Sequence, residues 1–171
     1  MPETDGSALD ELVEVISGLA LPARVAVDGV DAAGKTTLAG ELARRLGAAR
    51  LSADEFLRPP EERYRRGRES PEGYYLDSFD HDRLREAVLA RDGLVIVDGI
   101  FLFRPELNDL WEFRIFVHVD FDESIRRGIE RDGAETESLY RRRYVPGQRI
   151  YLEQVRPREL ADVVFDNTER A

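Results

Sequence analysis

The sequence predicts a three-layer α/β fold around a central parallel sheet of about five strands, and three observations carry that expectation. Apolar runs of strand length, at 24–28, 94–98 and 113–119, alternate with segments whose apolar residues recur at helical spacing. The first run leads straight into Gly29-Val30-Asp31-Ala32-Ala33-Gly34-Lys35-Thr36-Thr37, a full match to the phosphate-binding pattern G-x-x-x-x-G-K-[ST]. Leu38 to Leu46 then shows helical spacing and stops at Gly47, so the loop stands between strand and helix, the context that such a loop needs. Strands joined through helices imply right-handed crossovers and a parallel sheet covered on both faces.

The elements follow in order. Ser7 starts a packing helix on Leu9, Leu12, Val13, Ile16 and Leu19, ended by Gly18 and Pro22. After the loop and its helix, 48–52 forms a weak second strand, with Asp54 and Glu55 just beyond it. Residues 58–73 hold three prolines, two glycines and five arginines, the composition of a mobile surface loop whose Arg63, Arg65, Arg66 and Arg68 either gather phosphate or are merely solvated. Tyr74 and Tyr75 read as anchors of this loop on the core. A helix from Asp82 to Ala90 follows, with His81 exposed at its start and given no role. Leu94-Val95-Ile96-Val97-Asp98 is the clearest buried strand. A short helix at 105–110 and a fourth strand at 113–119 come next, with His118 inside the sheet. Helices over 123–131 and 137–144 are separated by Gly133, Val145-Pro146-Gly147 interrupts again, and a helix at 148–155 precedes a fifth strand at 161–166. This is the layout of a three-layer P-loop nucleoside triphosphate hydrolase fold, read as one domain over 1–171 with a substrate loop around 58–79 and a lid around 127–147.

Composition narrows the partners. The chain has 171 residues, 42% of them hydrophobic, enough for one real core. Its net charge of −10 argues against nucleic acid or an anionic membrane as a partner. Cysteine is absent, which excludes disulfides, thiolate metal sites and thiol catalysis. Met1 to Asp10 lacks a signal-peptide pattern and no apolar run approaches the ~20 residues of a membrane span, so a cytoplasmic location is expected. A homo-oligomer is left open.

The chemistry starts at the loop. Glycines at 29 and 34 permit close approach of backbone N–H groups to phosphate oxygens, and the following helix directs its positive end at the same point. Gly29, Asp31, Ala32, Ala33, Gly34, Lys35, Thr36 and Thr37 form the expected nucleotide-binding set, Lys35 supplying a mobile charge and Thr36 a hydroxyl for Mg²⁺. Asp54 and Asp98 both follow strands, where ligands bind in an open α/β sheet. With Thr36 they make a plausible Mg²⁺ set, since that ion commonly takes one or two carboxylates plus water and phosphate. Arg127 and Arg131, four apart on one helix face, could clamp phosphate oxygens or pair with Asp122, Glu123 or Glu130.

With these residues in view, the chain from Val25 to Asn167 resembles the P-loop kinases of the uridine kinase and phosphoribulokinase group. Beyond the loop, the likeness rests on Leu51-Ser52-Ala53-Asp54-Glu55-Phe56, Ser78-Phe79-Asp80, Val95-Ile96-Val97-Asp98-Gly99-Ile100, the arginines from Arg126 to Arg131, and Val155-Arg156-Pro157. The resemblance implies an ATP- and Mg²⁺-dependent kinase that phosphorylates a hydroxyl of a small, nucleoside-like acceptor. It implies Asp54 as the base, Lys35, Arg127 and Arg131 as stabilisers of the transferring group, and Phe56, Phe79, Asp80 and Ile100 as acceptor contacts. A nucleoside monophosphate or dephospho-coenzyme A kinase is the nearest alternative, because extra arginines suit an acceptor phosphate. A regulator that binds nucleotide without catalysis is another. A GTPase switch is disfavoured, since no N-K-x-D motif occurs.

Overall fold

The computed structural model describes residues 6–168. Helix α1 (Gly6–Ser17) presents Leu12 and Ile16 to the core and leads to β1 (Ala23–Gly29). Ser7 lies inside α1 and not ahead of it. After the loop comes α2 (Lys35–Leu46), which ends on Gly47 in the left-handed conformation. Then follow β2 (Ala49–Ser52), a 3₁₀ turn at Ala53–Phe56, α3 (Pro60–Arg63), α4 (Pro71–Asp77), α5 (His81–Leu89) and β3 (Leu94–Asp98). A 3₁₀ turn at Asn108–Leu110 precedes β4 (Phe113–His118) and α6 (Phe121–Asp132). Finally α7 (Glu137–Leu139) passes through a π-helical turn at Tyr140–Tyr144 into α8 (Val145–Val155), followed by α9 (Pro157–Leu160) and β5 (Val163–Asp166).

The five strands form one parallel sheet in the order β2-β3-β1-β4-β5. This is the P-loop fold that the strand–loop–helix motif predicts. Val25, Val27, Ile96, Val97 and Ile115 are buried along the central strands because helices cover both faces. Strand order reverses around β1, so the carboxyl ends of β1, β2 and β3, with the residues that follow them, converge on the crevice where ligands bind in open α/β sheets. A smaller apolar cluster of Ile125, Tyr140 and Val145 holds α6 against the π turn.

Two expectations are corrected, and a third holds. Residues 58–73 carry two short helix starts and many bonds, and are not a featureless loop: Arg65 and Arg66 both bind Asp77, at 2.9 and 2.7 Å. Val145-Pro146-Gly147 does not break the helix. Val145 donates to the carbonyl of Tyr140, and this wider turn sits just ahead of Pro146, which has no N–H to give. Gly147 is instead a packing glycine: a Cβ there would meet Tyr74 Cδ1 at 2.8 Å and the Pro71 carbonyl at 2.9 Å, so α8 approaches α4 only without a side chain. His118 lies within the sheet as expected, the last residue of β4, half-buried, paired with Asp166 of β5 and facing Asp120 at 3.3 Å. No helix among the described residues is long and apolar enough to cross a membrane.

Candidate active site

A cavity of about 710 Å³ opens beside the phosphate-binding loop, a size suited to a small-molecule site. The loop supplies Asp31 to Thr37 to its lining. Gly34 takes φ +93°, and a Cβ there would crowd Asn167 Nδ2 at 2.8 Å, so glycine is required on two counts. Gly29 serves differently from expectation. It lies outside this cavity, its N–H is spent on its neighbour Asp28 at 2.8 Å, and a Cβ would strike the Val117 carbonyl. Its role here is close passage of β1 past β4.

Distant residues hold the loop from three sides. Gln148 Oε1 accepts from the Asp31 N–H at 2.6 Å, Ser124 Oγ donates to the Asp31 carbonyl at 2.6 Å, and Asn167 Nδ2 donates to the Ala33 carbonyl at 2.8 Å. Beneath it, Tyr151 donates to buried Asp28 and accepts from the Phe103 N–H at 3.0 Å. Burial pushes Asp28 up to about 6, against the bonds from Tyr151 and Gly29 and the charge of Lys35. Sequence reasoning gave none of these supports a role. No local pattern marks a glutamine or tyrosine that acts more than a hundred residues from its partner, and only the Asp at the end of an apolar strand offered a signal.

Lys35 is buried and donates to the Val30 carbonyl at 2.6 Å. Burial lowers its pKa, while the charges of Asp31, Asp28, Asp54 and Asp98 oppose that shift. Thr36 Oγ1 meets Asp98 Oδ2 at 3.1 Å, and Arg50 holds the other oxygen of Asp98 at 2.9 Å. Asp54 is the second residue of the turn after β2 and lines the cavity. Its carboxyl is raised by desolvation in the cavity wall, with Lys35 opposing and Asp31 and Asp98 reinforcing. A carboxylate shifted upward beside a cationic amine is placed to accept a proton.

The donor set at Thr36, Asp98 and Asp54 consists of oxygens alone, which suits Mg²⁺. Among the described residues no group of three or more His, Asp or Glu is gathered to hold an ion unaided. An ion that arrives with phosphate oxygens fits such a site better than a resident one. Arg127 and Arg131 also line the cavity. Arg127 bonds Glu123 at 2.6 Å and the Asn167 carbonyl at 2.8 Å, so the expected pairing with Glu123 is present. Arg131 is held by both oxygens of Asp132, at 2.8 and 2.9 Å, and lies 3.7 Å from Asp31. Of the expected acceptor contacts, Phe79 and Ile100 line the cavity. Phe56 is packed in the core, and Asp80 caps α5 by accepting from the Arg83 N–H at 3.0 Å; neither reaches the cavity lining.

With the geometry established, comparison with known proteins adds the relatives. The model of the AAA domain family matches residues 25–169. The chain is 28% identical over 144 residues to a uridine kinase from Leuconostoc citreum (strain KM20), across 65% of this chain and 69% of that protein. Among solved structures, that of a possible uridine kinase from Bacillus stearothermophilus superposes with a TM-score of 0.74 at 23% identity, over 94% of this chain and 98% of that one. A gluconokinase from Sinorhizobium meliloti 1021 gives 0.58 at 26% identity, over 87% and 85%.

Proposed function

The chain belongs to the AAA domain family, and from that premise we propose that it is an ATP- and Mg²⁺-dependent kinase that phosphorylates a hydroxyl of a small, nucleoside-like acceptor. The observation that carries this reading is the convergence of Asp54, Lys35 and the Thr36–Asp98 pair on one cavity at the phosphate-binding loop. The likeness to a uridine kinase supports a nucleoside-like acceptor, as does a cavity wall bearing Tyr64, Tyr74 and Tyr144.

In this reading the acceptor hydroxyl lies near Asp54, which takes its proton as the oxygen bonds to the γ-phosphorus. The bond to the bridging oxygen breaks, and ADP leaves with that electron pair. Lys35 and the loop N–H groups balance charge on the transferring group, the main contribution a protein makes to phosphoryl transfer. Thr36, Asp98 and Asp54 would hold Mg²⁺, which supplies charge neutralisation for the phosphates. Arg131 joins once it exchanges Asp132 for a phosphate oxygen, and Arg127 stands beside it on α6.

Release of ADP from ATP and Mg²⁺, measured across nucleosides, sugars and sugar acids, tests the proposal. Acceptor-dependent ADP formation is expected. Slow hydrolysis that no acceptor accelerates would contradict it.

A further inference from the structure

One wall of the cavity carries charge that the proposed chemistry does not use. Arg143, in the π turn, is only 2% exposed. Its guanidinium donates to the carbonyls of Ser70 at 3.1 Å and Arg63 at 3.2 Å, with longer contacts to Gly67 and Arg68, both at 3.4 Å. It lies over the rings of Tyr64 and Tyr74, at 4.9 and 5.5 Å. Arg63 lies over the other side chain of this cluster, Tyr64, at 5.3 Å, and its Nε is buried with no hydrogen-bond partner. Both arginines line the cavity.

Among the described residues neither cation pairs with a carboxylate. Of the acids of the same segment, Asp77 is engaged by Arg65 and Arg66, Glu62 by Arg58, and Glu69 by Arg142. The contrast with the other arginines of the cavity is direct, since Arg127 and Arg131 both have acid partners. A buried cation without a counter-ion is costly. Carbonyl dipoles and ring faces offset part of that cost at Arg143. They also give Arg143 a structural role, as the pin of residues 63–70. Arg63 has no comparable role: its guanidinium stands at the cavity with one ring contact and an orphaned Nε. Two neighbouring cations left without an acid at the wall of a small-molecule site form a receptor for an anion.

We propose that Arg63 and Arg143 form an anion subsite, so that the acceptor carries a phosphate or carboxylate in addition to the hydroxyl that is phosphorylated. The subsite stands on its own geometry; its assignment to the acceptor rests on the kinase reading. It makes neutral nucleosides and sugars weak ligands beside their acidic derivatives.

Calorimetric titration of the protein, saturated with Mg²⁺ and a non-hydrolysable ATP analogue, tests it with two matched series. These are uridine, uridine 5′-monophosphate and uridine 5′-carboxylate, then glucose, glucose 6-phosphate and gluconate. An acidic member is expected to bind at least about tenfold more tightly than its neutral parent in one series, with affinity falling as salt rises. Whether the phosphate or the carboxylate member is preferred identifies the anion. Arg63→Ala is expected to abolish the preference, and Arg63→Lys to restore it in part, while affinity for the ATP analogue stays unchanged. Acidic members that bind no better than neutral ones in both series overturn the inference, as does an Arg63→Ala variant that weakens both kinds equally. If an acidic ligand binds by way of Arg63 yet yields no ADP with ATP, the subsite stands and the kinase reading falls. If neutral acceptors yield ADP as readily as acidic ones, the kinase reading stands and the subsite falls.

Discussion

The two halves of the cavity are built by different means. The phosphate half is mostly backbone: a short loop at the end of a buried strand, tied down by Gln148, Ser124 and Asn167 and carried on the Asp28–Tyr151 pair. The acceptor half is mostly side chain, displayed on short helices that Arg143 and the close contact of Gly147 with Tyr74 hold in place. A backbone cradle binds phosphate whatever molecule bears it, whereas a wall of side chains discriminates among molecules. The division locates general chemistry in one half and selectivity in the other, and it can be broken from either side.

The largest effect is expected in the phosphate half. Lys35→Ala removes the buried ammonium whose charge Asp31, Asp28, Asp54 and Asp98 favour; kcat should fall at least about a hundredfold, the scale of losing one preorganised charge-stabilising group. Steady-state ADP release measures it, and a fall of less than tenfold would remove Lys35 from the transition state.

Next comes a break in the acceptor half. Gly147→Val forces a side chain against Tyr74 and the Pro71 carbonyl, with an expected loss of about 1–3 kcal/mol of stability. Thermal unfolding reports the loss. If the halves are separate, acceptor affinity drops in the surviving folded protein while ATP affinity holds. Equal loss of both would show that the halves move as one.

A pH effect follows from Asp28, whose pKa is raised from 3.8 to about 6. The folded protein therefore binds a proton that the unfolded chain has lost, so this group contributes stability below about pH 4 that disappears as pH rises through 6. The span corresponds to about 2–3 kcal/mol. Denaturant unfolding between pH 4 and 7 should show a slope that Asp28→Asn removes, with the variant gaining relative to wild type at pH 7. Parallel pH profiles for the two proteins would refute the burial argument.

The smallest effect is expected at Arg65, whose side chain is 62% exposed. Arg65→Ala should leave the thermal midpoint almost unchanged, because Asp77 keeps Arg66 and exposed ion pairs contribute little. A larger loss would make this pairing a main support of the acceptor half.

What was legible in the sequence follows the same division. The loop, its flanking strand and helix, and the two strand-ending acids are local patterns, each complete within about ten residues, so they could be located directly. The parallel sheet needed only the alternation of strands and helices and the rule of right-handed crossovers, whereas its order β2-β3-β1-β4-β5 depends on which distant strands pair and had no local signal. The acceptor half depends on pairs far apart in the chain. Arg143 meets the carbonyl of Arg63 eighty residues away, and the ties on the phosphate-binding loop are as remote, Gln148 meeting Asp31 at a separation of 117. Pro146 and Gly147 look like a helix break because the two signals that end helices coincide there. The preceding π turn accommodates the proline, and the glycine answers to a neighbouring helix. Asp80 ends the Ser78-Phe79-Asp80 sequence that resembles a substrate motif, yet the same residue is also an N-cap, and capping is where the structure places it.

The central claim is that Asp54 accepts a proton in phosphoryl transfer at a site that binds ATP independently of it. Asp54→Asn, with ATP affinity determined by titration and ADP release followed with an active acceptor, tests this most directly. The account predicts ATP affinity within a fewfold of wild type and turnover lowered by about 10²–10⁴. Unchanged turnover in that variant would contradict it.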